Sequence, residues 1–421
     1  MQTNKIHWAS LLILIVFGLS VSLALMVALG FGVNSVIVLF TEEGDAAGQM
    51  ISAFAFGFEG LALLLCSWFV LQKFMGREQA GTMIKFPFAG WQIVAVIGLA
   101  IMSVAIGAAV VYTKVMWLAW FTLPLLTVVV IVPPIWVLFG IGSKDIELGQ
   151  RWQVFSIFGL SMTLGPLVMI VMEIVLLAGG IILSAIFIAV SKPDLVREFA
   201  RLGMRLQNVT DQNVILNLLA PYFSNPSVIA AALAYIAVLV PLIEELFKPL
   251  AVWIFAQKIE SPTQGFAMGL LSGASFALVE SLNASGAGTE TWPVIVTIRA
   301  GTSMLHIMAS GLMGWGIVSA FRERRILRLF AAYFSAVLIH GVWNACAVGA
   351  GLSLVGEVIG KPEWLFTVLP AMAGGMFVLV VGMLSLLVAS NKRIRISSVP
   401  VLPATDRQLV LREEEHDGEV Q

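Results

Sequence analysis

The sequence predicts an all-α fold, a polytopic transmembrane helical bundle of about ten spans with both termini cytoplasmic. Three observations carry this expectation. Of 421 residues, 59% are apolar and 12% charged, about half the charged fraction of a soluble domain, and mean hydropathy is +0.96. Apolar runs recur at or above the ~20 residues that cross the hydrocarbon as a helix. Basic residues gather in alternate connections between those runs, as orientation in a bilayer requires.

The first run follows Lys5 and His7 and extends from Trp8 to Leu39. It is too long for the ~7–15-residue apolar region of a cleaved signal, so it reads as an uncleaved span at about 8–33. Further spans are expected at about 50–71, 91–112 and 116–141. A fifth lies within 154–190, where Pro166 and Gly179-Gly180 leave one tilted helix or two both open. The sixth covers about 227–257, and four more fall at about 264–284, 292–320, 329–350 and 365–390. Lys73, Arg77, Lys85, Lys144, Arg151, Lys258, Arg322, Arg324, Arg325, Arg328, Lys392, Arg393 and Arg395 fall on one side if the fifth run crosses once. Glu42, Glu43, Asp45 and Glu290 then fall on the other. The cell (plasma) membrane is the expected location.

The chain divides into three parts on this reading. Residues 1–226 hold about five spans and end in segment 191–226. There Leu195, Phe199, Leu202 and Leu206 recur at helical spacing, which suits an amphipathic helix on the outer surface or an ordinary solvated connector. Residues 227–350 form a four-span core. Residues 351–421 hold the last span and a polar tail with Pro400, Pro403 and Glu413-Glu414-Glu415, expected to be disordered. Asn208 and Asn283 stand in glycosylation sequons. The net charge of −1 gives no reason to expect a nucleic-acid partner. Cys66 and Cys346, each in an apolar run, suit small membrane-facing residues better than a disulfide or a zinc knuckle.

Spans six to nine carry the chemistry. Span six reads Val240-Pro-Leu-Ile-Glu244-Glu245-Leu-Phe-Lys248-Pro249, two acids and a lysine inside an apolar helix. Charges in such a helix are costly and mark function by default. Glu244 and Lys248, four apart, share a face and can pair, which leaves Glu245 turned roughly 100° away and free. Span seven places Gly265, Gly269, Gly273 and Ala277 in a smooth row and delivers Phe276 and Glu280. Span eight carries Arg299 and His306 nearly on one face. Span nine carries His340 and, four on, Asn344, which can hold the ring or bind a substrate carbonyl. Counted from the span ends at helical rise, Glu245, His306 and His340 come out near mid-membrane, with Glu280 somewhat outward. Glu59 in span two and Glu173 in span five are further buried acids without a partner legible in the sequence.

Such a group can act in two ways on a peptide bond. A carboxylate beside histidine can hold a water and take its proton, with asparagine or histidine stabilising the oxyanion. Alternatively Glu245, Glu280, His306 and His340 supply zinc ligands with an open position for water; metal-free activation is equally open. The alternative is a proton-coupled membrane transporter using the same buried Glu/His cluster. Pro241 and Pro249 hint at the interrupted helix that transporters use. A haem held by His306 and His340 has nothing else to support it.

The order Glu244-Glu245-x-x-Lys248, Phe276-x-x-x-Glu280, His306, His340-x-x-x-Asn344 resembles the PrsW-type intramembrane proteases. These are similar in turn to the CAAX prenyl proteases and the bacteriocin-processing membrane proteases. Those relatives carry EExxxR and FxxxH, so EExxK and FxxxE favour the PrsW branch. The matching motifs span about 227–350, with the five N-terminal spans and the last one outside. The resemblance implies an endopeptidase that cuts membrane-anchored proteins within the bilayer, an anti-sigma factor being the best-known substrate type. Glu245, or Glu244, is then the expected water-activating base, Lys248 balances charge, and Glu280, His306 and His340 complete a water or metal site. Asn344 polarises the substrate.

Overall fold

A computed structural model of the chain describes residues 7–77, 83–207, 209–223, 225–359 and 367–398. The tail residues 399–421 and Asn208 of the first sequon lie outside them. Among the described residues, ten helices are long and apolar enough to cross a membrane. The first four are α1 (Trp8–Thr41), α2 (Ala46–Phe74), α3 (Trp91–Thr113) and α4 (Met116–Ser143). They run past the expected ends because helical hydrogen bonding continues until a cap stops it. Asp45, for example, caps α2 by accepting from the Gly48 N–H at 2.9 Å. The fifth run is one helix, α5 (Arg151–Ser191). Its 41 residues make about 60 Å at helical rise, twice the ~30 Å hydrocarbon. A two-stranded antiparallel ribbon pairs Met83–Lys85 with Glu147–Gln150.

Segment 191–226 forms α6 (Pro193–Leu206) and α7 (Gln212–Phe223). The expected helix is there, and it is held to its neighbour. Phe199 packs on Tyr222 at 5.7 Å between ring centres, and the Tyr222 hydroxyl donates to Glu198 at 2.9 Å.

Span six is broken in two places. It comprises α8 (Pro226–Ala234), a π-helical turn (Tyr235–Leu239), α9 (Val240–Phe247) and α10 (Leu250–Phe255). The prolines explain both breaks, because each removes an N–H from the ladder. After them come α11 (Pro262–Ala284), α12 (Trp292–Glu323), α13 (Ile326–Ile359) and α14 (Leu369–Ser398).

The core sits on α11 and α12. Both are buried along most of their length, while the windows in α1, α3, α5 and α14 face outward. The small-residue row does what its spacing predicts. A Cβ on Gly269 would stand 2.1 Å from the Ser310 carbonyl oxygen, and one on Gly273 would stand 2.2 Å from that of His306. The two backbones therefore touch. This fixes Glu280 and His306 against each other at the far end of the same seam.

Two contacts add to the sequence reading here. Glu59 does have a partner: the Asn283 side-chain amide donates to it at 2.7 Å, joining α2 to α11. The second sequon asparagine is thereby spent inside the bundle. Of the loop arginines, Arg322 also closes a helix end. Its guanidinium donates to the Ile259 and Gln257 carbonyls, both at 2.7 Å, just beyond α10.

Candidate active site

The π-helical turn and the break at Lys248-Pro249 aim the acids. In the turn, the Val240 N–H bonds the Tyr235 carbonyl, and Pro241 has no N–H to offer. The Ile236 carbonyl thus loses both partners that a helix could give it. Asn344 supplies the missing donor from α13, its amide nitrogen 2.9 Å from that carbonyl. Asn344 Nδ2 thus spends one N–H on the bulge, beside the expected roles toward the His340 ring or a substrate carbonyl. Gly341 beside it lacks a Cβ where one would stand 2.4 Å from the Ala237 carbonyl oxygen, so α13 approaches the turn closely.

At the second break, Pro249 leaves α9 without its next ladder bond. The carbonyls there turn to side chains. Trp253 Nε1 donates to the Leu246 carbonyl at 3.2 Å. Ser272 Oγ donates to the Lys248 carbonyl at 2.9 Å and lies 2.8 Å from Ser161 Oγ. Ser161 and Ser272 are both buried. A Ser272→Ala variant is expected to lose about 1 kcal/mol of stability, read as a lower unfolding temperature in detergent. Peptidase activity should fall with it, because the break that aims Lys248 loosens.

Four side chains meet below the breaks. Lys248 Nζ is 2.7 Å from Glu244 Oε2 and 2.8 Å from Glu245 Oε1. His340 Nδ1 is 2.7 Å from Glu245 Oε1 and 3.3 Å from Lys248 Nζ, and His340 Nε2 is 3.8 Å from Glu244 Oε2. Glu245 and Lys248 are wholly buried, with 0% exposure. The idea that Glu245 is left free is therefore wrong: the long lysine stem reaches both i−3 and i−4 from the broken end of α9 and holds both carboxylates.

A second group lies alongside. Glu280 Oε2 is 2.6 Å from His306 Nε2. Arg299 grips the same carboxylate with Nη1 to Oε1 at 3.1 Å and Nη2 to Oε2 at 2.5 Å. The histidine rings bring the two groups together, His306 and His340 meeting edge-on at 5.7 Å. Phe276 packs on His306 at 5.0 Å and lies 5.1 Å from Lys248 Nζ. Glu244, Glu245, Lys248, Phe276, Glu280, His306 and His340 thus converge on one neighbourhood. Arg299 was legible in the sequence as a face-mate of His306, and an unpaired Glu280 needed such a cation. Glu173 on α5 also belongs here, within electrostatic reach of Glu244, Lys248 and Glu280.

The metal-ligand set differs from the expected one. Glu244, Glu245 and His340 can each turn one donor atom to within 4.8 Å of the others. Glu280 and His306 stand outside that set because they are already spent on each other and on Arg299. Glu245 Oε2 and His306 Nδ1 are among the buried side-chain atoms that lack a hydrogen-bond partner among the described residues. Burying such atoms without a partner is expensive. One carboxylate oxygen beside a second carboxylate and an imidazole has the chemistry that a zinc-like ion takes, so the set fits a metal.

No curated protein and no solved structure matches the chain. A family model does, described as PrsW family intramembrane metalloprotease, over residues 166–388. It reaches well beyond the motif helices, taking in most of α5 and α14, both of which the motifs alone leave outside. With just over half of its length matched, and the Glu–Glu–Lys, Phe–Glu and histidine positions of its motifs gathered at one site, the chain belongs to the PrsW family of intramembrane metalloproteases.

Proposed function

We propose that the chain is an endopeptidase that hydrolyses peptide bonds of membrane-anchored proteins at the Glu244–Glu245–His340 cluster. The observation that carries this reading is Glu245. One of its oxygens is tied to Lys248 and His340, and the other is buried and unengaged. A carboxylate held still with one free lone pair is what general-base chemistry on water needs.

Glu244, Glu245 and His340 would hold the metal. Bound there, the ion supplies positive charge that polarises a carbonyl and acidifies a water. In the metal-free alternative, Glu245 Oε2 would instead take the proton of the attacking water itself. Glu245 Oε1 accepts from His340 Nδ1–H, which leaves Nε2 as the donor lone pair facing Glu244. Glu280, clamped by Arg299, accepts from His306 Nε2–H and so turns Nδ1 toward the space by His340. From there Nδ1 would take up the proton lost by the attacking water and hand it to the leaving amine. The loop charges support cytoplasmic termini, and on this reading the chain lies in the cell (plasma) membrane. The substrate is a protein with a membrane anchor; the resemblance adds anti-sigma factors as a substrate type.

An apolar groove supports access from the lipid. It runs between α5, α6 and α8 past Gly180, Ser184, Ala189 and Ala231 to Tyr235, whose hydroxyl reaches the Glu173 carbonyl at 3.4 Å. Leu239, which also lines the groove, precedes the acids on span six. Ala231→Trp is expected to slow cleavage of a single-span substrate about tenfold or more while sparing a short soluble peptide. Equal slowing of both would place the substrate elsewhere.

The test of the function is reconstitution. Purified protein in liposomes should cut a single-span reporter, stop on chelation and resume on adding Zn²⁺. Cleavage that survives exhaustive chelation would assign the chemistry to the glutamates without metal. A proton-driven solute flux without any cleavage would favour the transporter reading, but the broken span six that suggested transport is already explained by the site it builds.

A further inference from the structure

The Lys248 ammonium stands among all three candidate metal ligands. It lies 2.7 Å from Glu244 Oε2, 2.8 Å from Glu245 Oε1 and 3.3 Å from His340 Nδ1. It has no exposure to solvent. A divalent cation placed within bonding distance of those same groups would stand a few ångströms from a fixed positive charge, in surroundings that screen poorly. The two cations therefore do not share the site at full strength. The lysine stem has four rotatable methylenes and can be re-aimed.

The place to which it would turn is also visible. Glu173, on α5, shares a side-chain hydrogen bond with Glu244 and lies within electrostatic reach of Lys248, while its Oε1 is buried without a hydrogen-bond partner. It lies outside the ligand set. An ammonium leaving Glu244 and Glu245 would thus remain paired.

We infer that Lys248 is an exchangeable internal cation: its ammonium neutralises Glu244 and Glu245 in the metal-free protein, and metal loading drives it off the ligand set toward Glu173. This rests on the metal placement proposed above. It gives the family's lysine a task distinct from catalysis, since it keeps two buried acids in place until the ion arrives and sets how tightly that ion is held.

Metal affinity tests it without any substrate. Purified protein in nanodiscs is titrated with Co²⁺, read from its visible bands, and with Zn²⁺ by competition. Lys248→Met should bind about tenfold or more tightly than wild type. Lys248→Gln should do the same and keeps a hydrogen-bond donor for the acids should the methionine variant fail to fold. Glu173→Gln, which leaves the lysine and the ligand set whole, should bind more weakly. Equal or weaker binding by the neutral Lys248 variants, or unchanged affinity in Glu173→Gln, overturns the exchange. Wild-type binding without a gain in those variants sinks the exchange alone and leaves the peptidase reading intact. Absence of binding in every protein sinks the exchange and the metal placement together.

Discussion

Glu245→Gln is expected to cut the rate of substrate cleavage by about a hundred- to ten-thousandfold, the range that a general base contributes. The substitution keeps size and shape. It removes the charge that Lys248 and His340 hold from 2.8 Å and 2.7 Å, and it turns the one unengaged oxygen into an amide group that cannot take a proton. Substrate contacts along the groove are untouched. The loss should therefore fall on kcat with KM little changed. Folding should survive, because Lys248 keeps Glu244 at 2.7 Å. The measurement is steady-state cleavage in nanodiscs, normalised to folded protein. A variant that retains even a tenth of the wild-type rate would remove Glu245 from the chemistry.

Gly273→Ala should be nearly as damaging for a different reason. A single methyl there would stand 2.2 Å from the His306 carbonyl oxygen and 2.8 Å from the Ile307 Cα. Both are backbone atoms and no rotamer relieves the clash, so α11 and α12 must part. Overpacking of this kind costs about 1–3 kcal/mol, sometimes more. Glu280 rides on one of these helices and His306 on the other, 2.6 Å apart. Parting the helices opens that pair, and a misplacement of about 1 Å can cost about a hundredfold in rate. Gly179→Ala is the control, since a Cβ there meets nothing within 4 Å and alanine is the better helix former by about 1 kcal/mol. Thermal unfolding and cleavage should both fall for the first variant and hold for the second. Parallel behaviour of the two would mean that the seam does not position the site.

Much of this architecture was legible in the sequence because the bilayer forces it to be. Spans must be long, apolar and helical, and so ten could be counted from the runs. Glycines four apart had to lie on one face of α11. Prolines on either side of the acids had to break span six. What the sequence did not carry was rotation and reach. Whether Lys248 pairs with one carboxylate or two depends on how the break at Pro249 swings its stem. Glu280 and His306 read as metal ligands only while the register of α11 on α12 was unknown; touching backbones turn them onto each other and onto Arg299. Asn344 reads as a partner for His340 because spacing along α13 is visible. The π-helical turn that leaves Ile236 needing a donor is a property of span six, seen only once the chain is folded. Glu59 and Asn283 are 224 positions apart, a pairing that no local pattern encodes.

Zinc-edge anomalous scattering from crystals grown with Zn²⁺ bears most directly on where hydrolysis takes place. One peak is expected, about 2.0–2.2 Å from an oxygen of Glu244, an oxygen of Glu245 and a nitrogen of His340. A peak lodged instead on Glu280 and His306, or an active crystal form with no ordered zinc at all, would contradict the assignment.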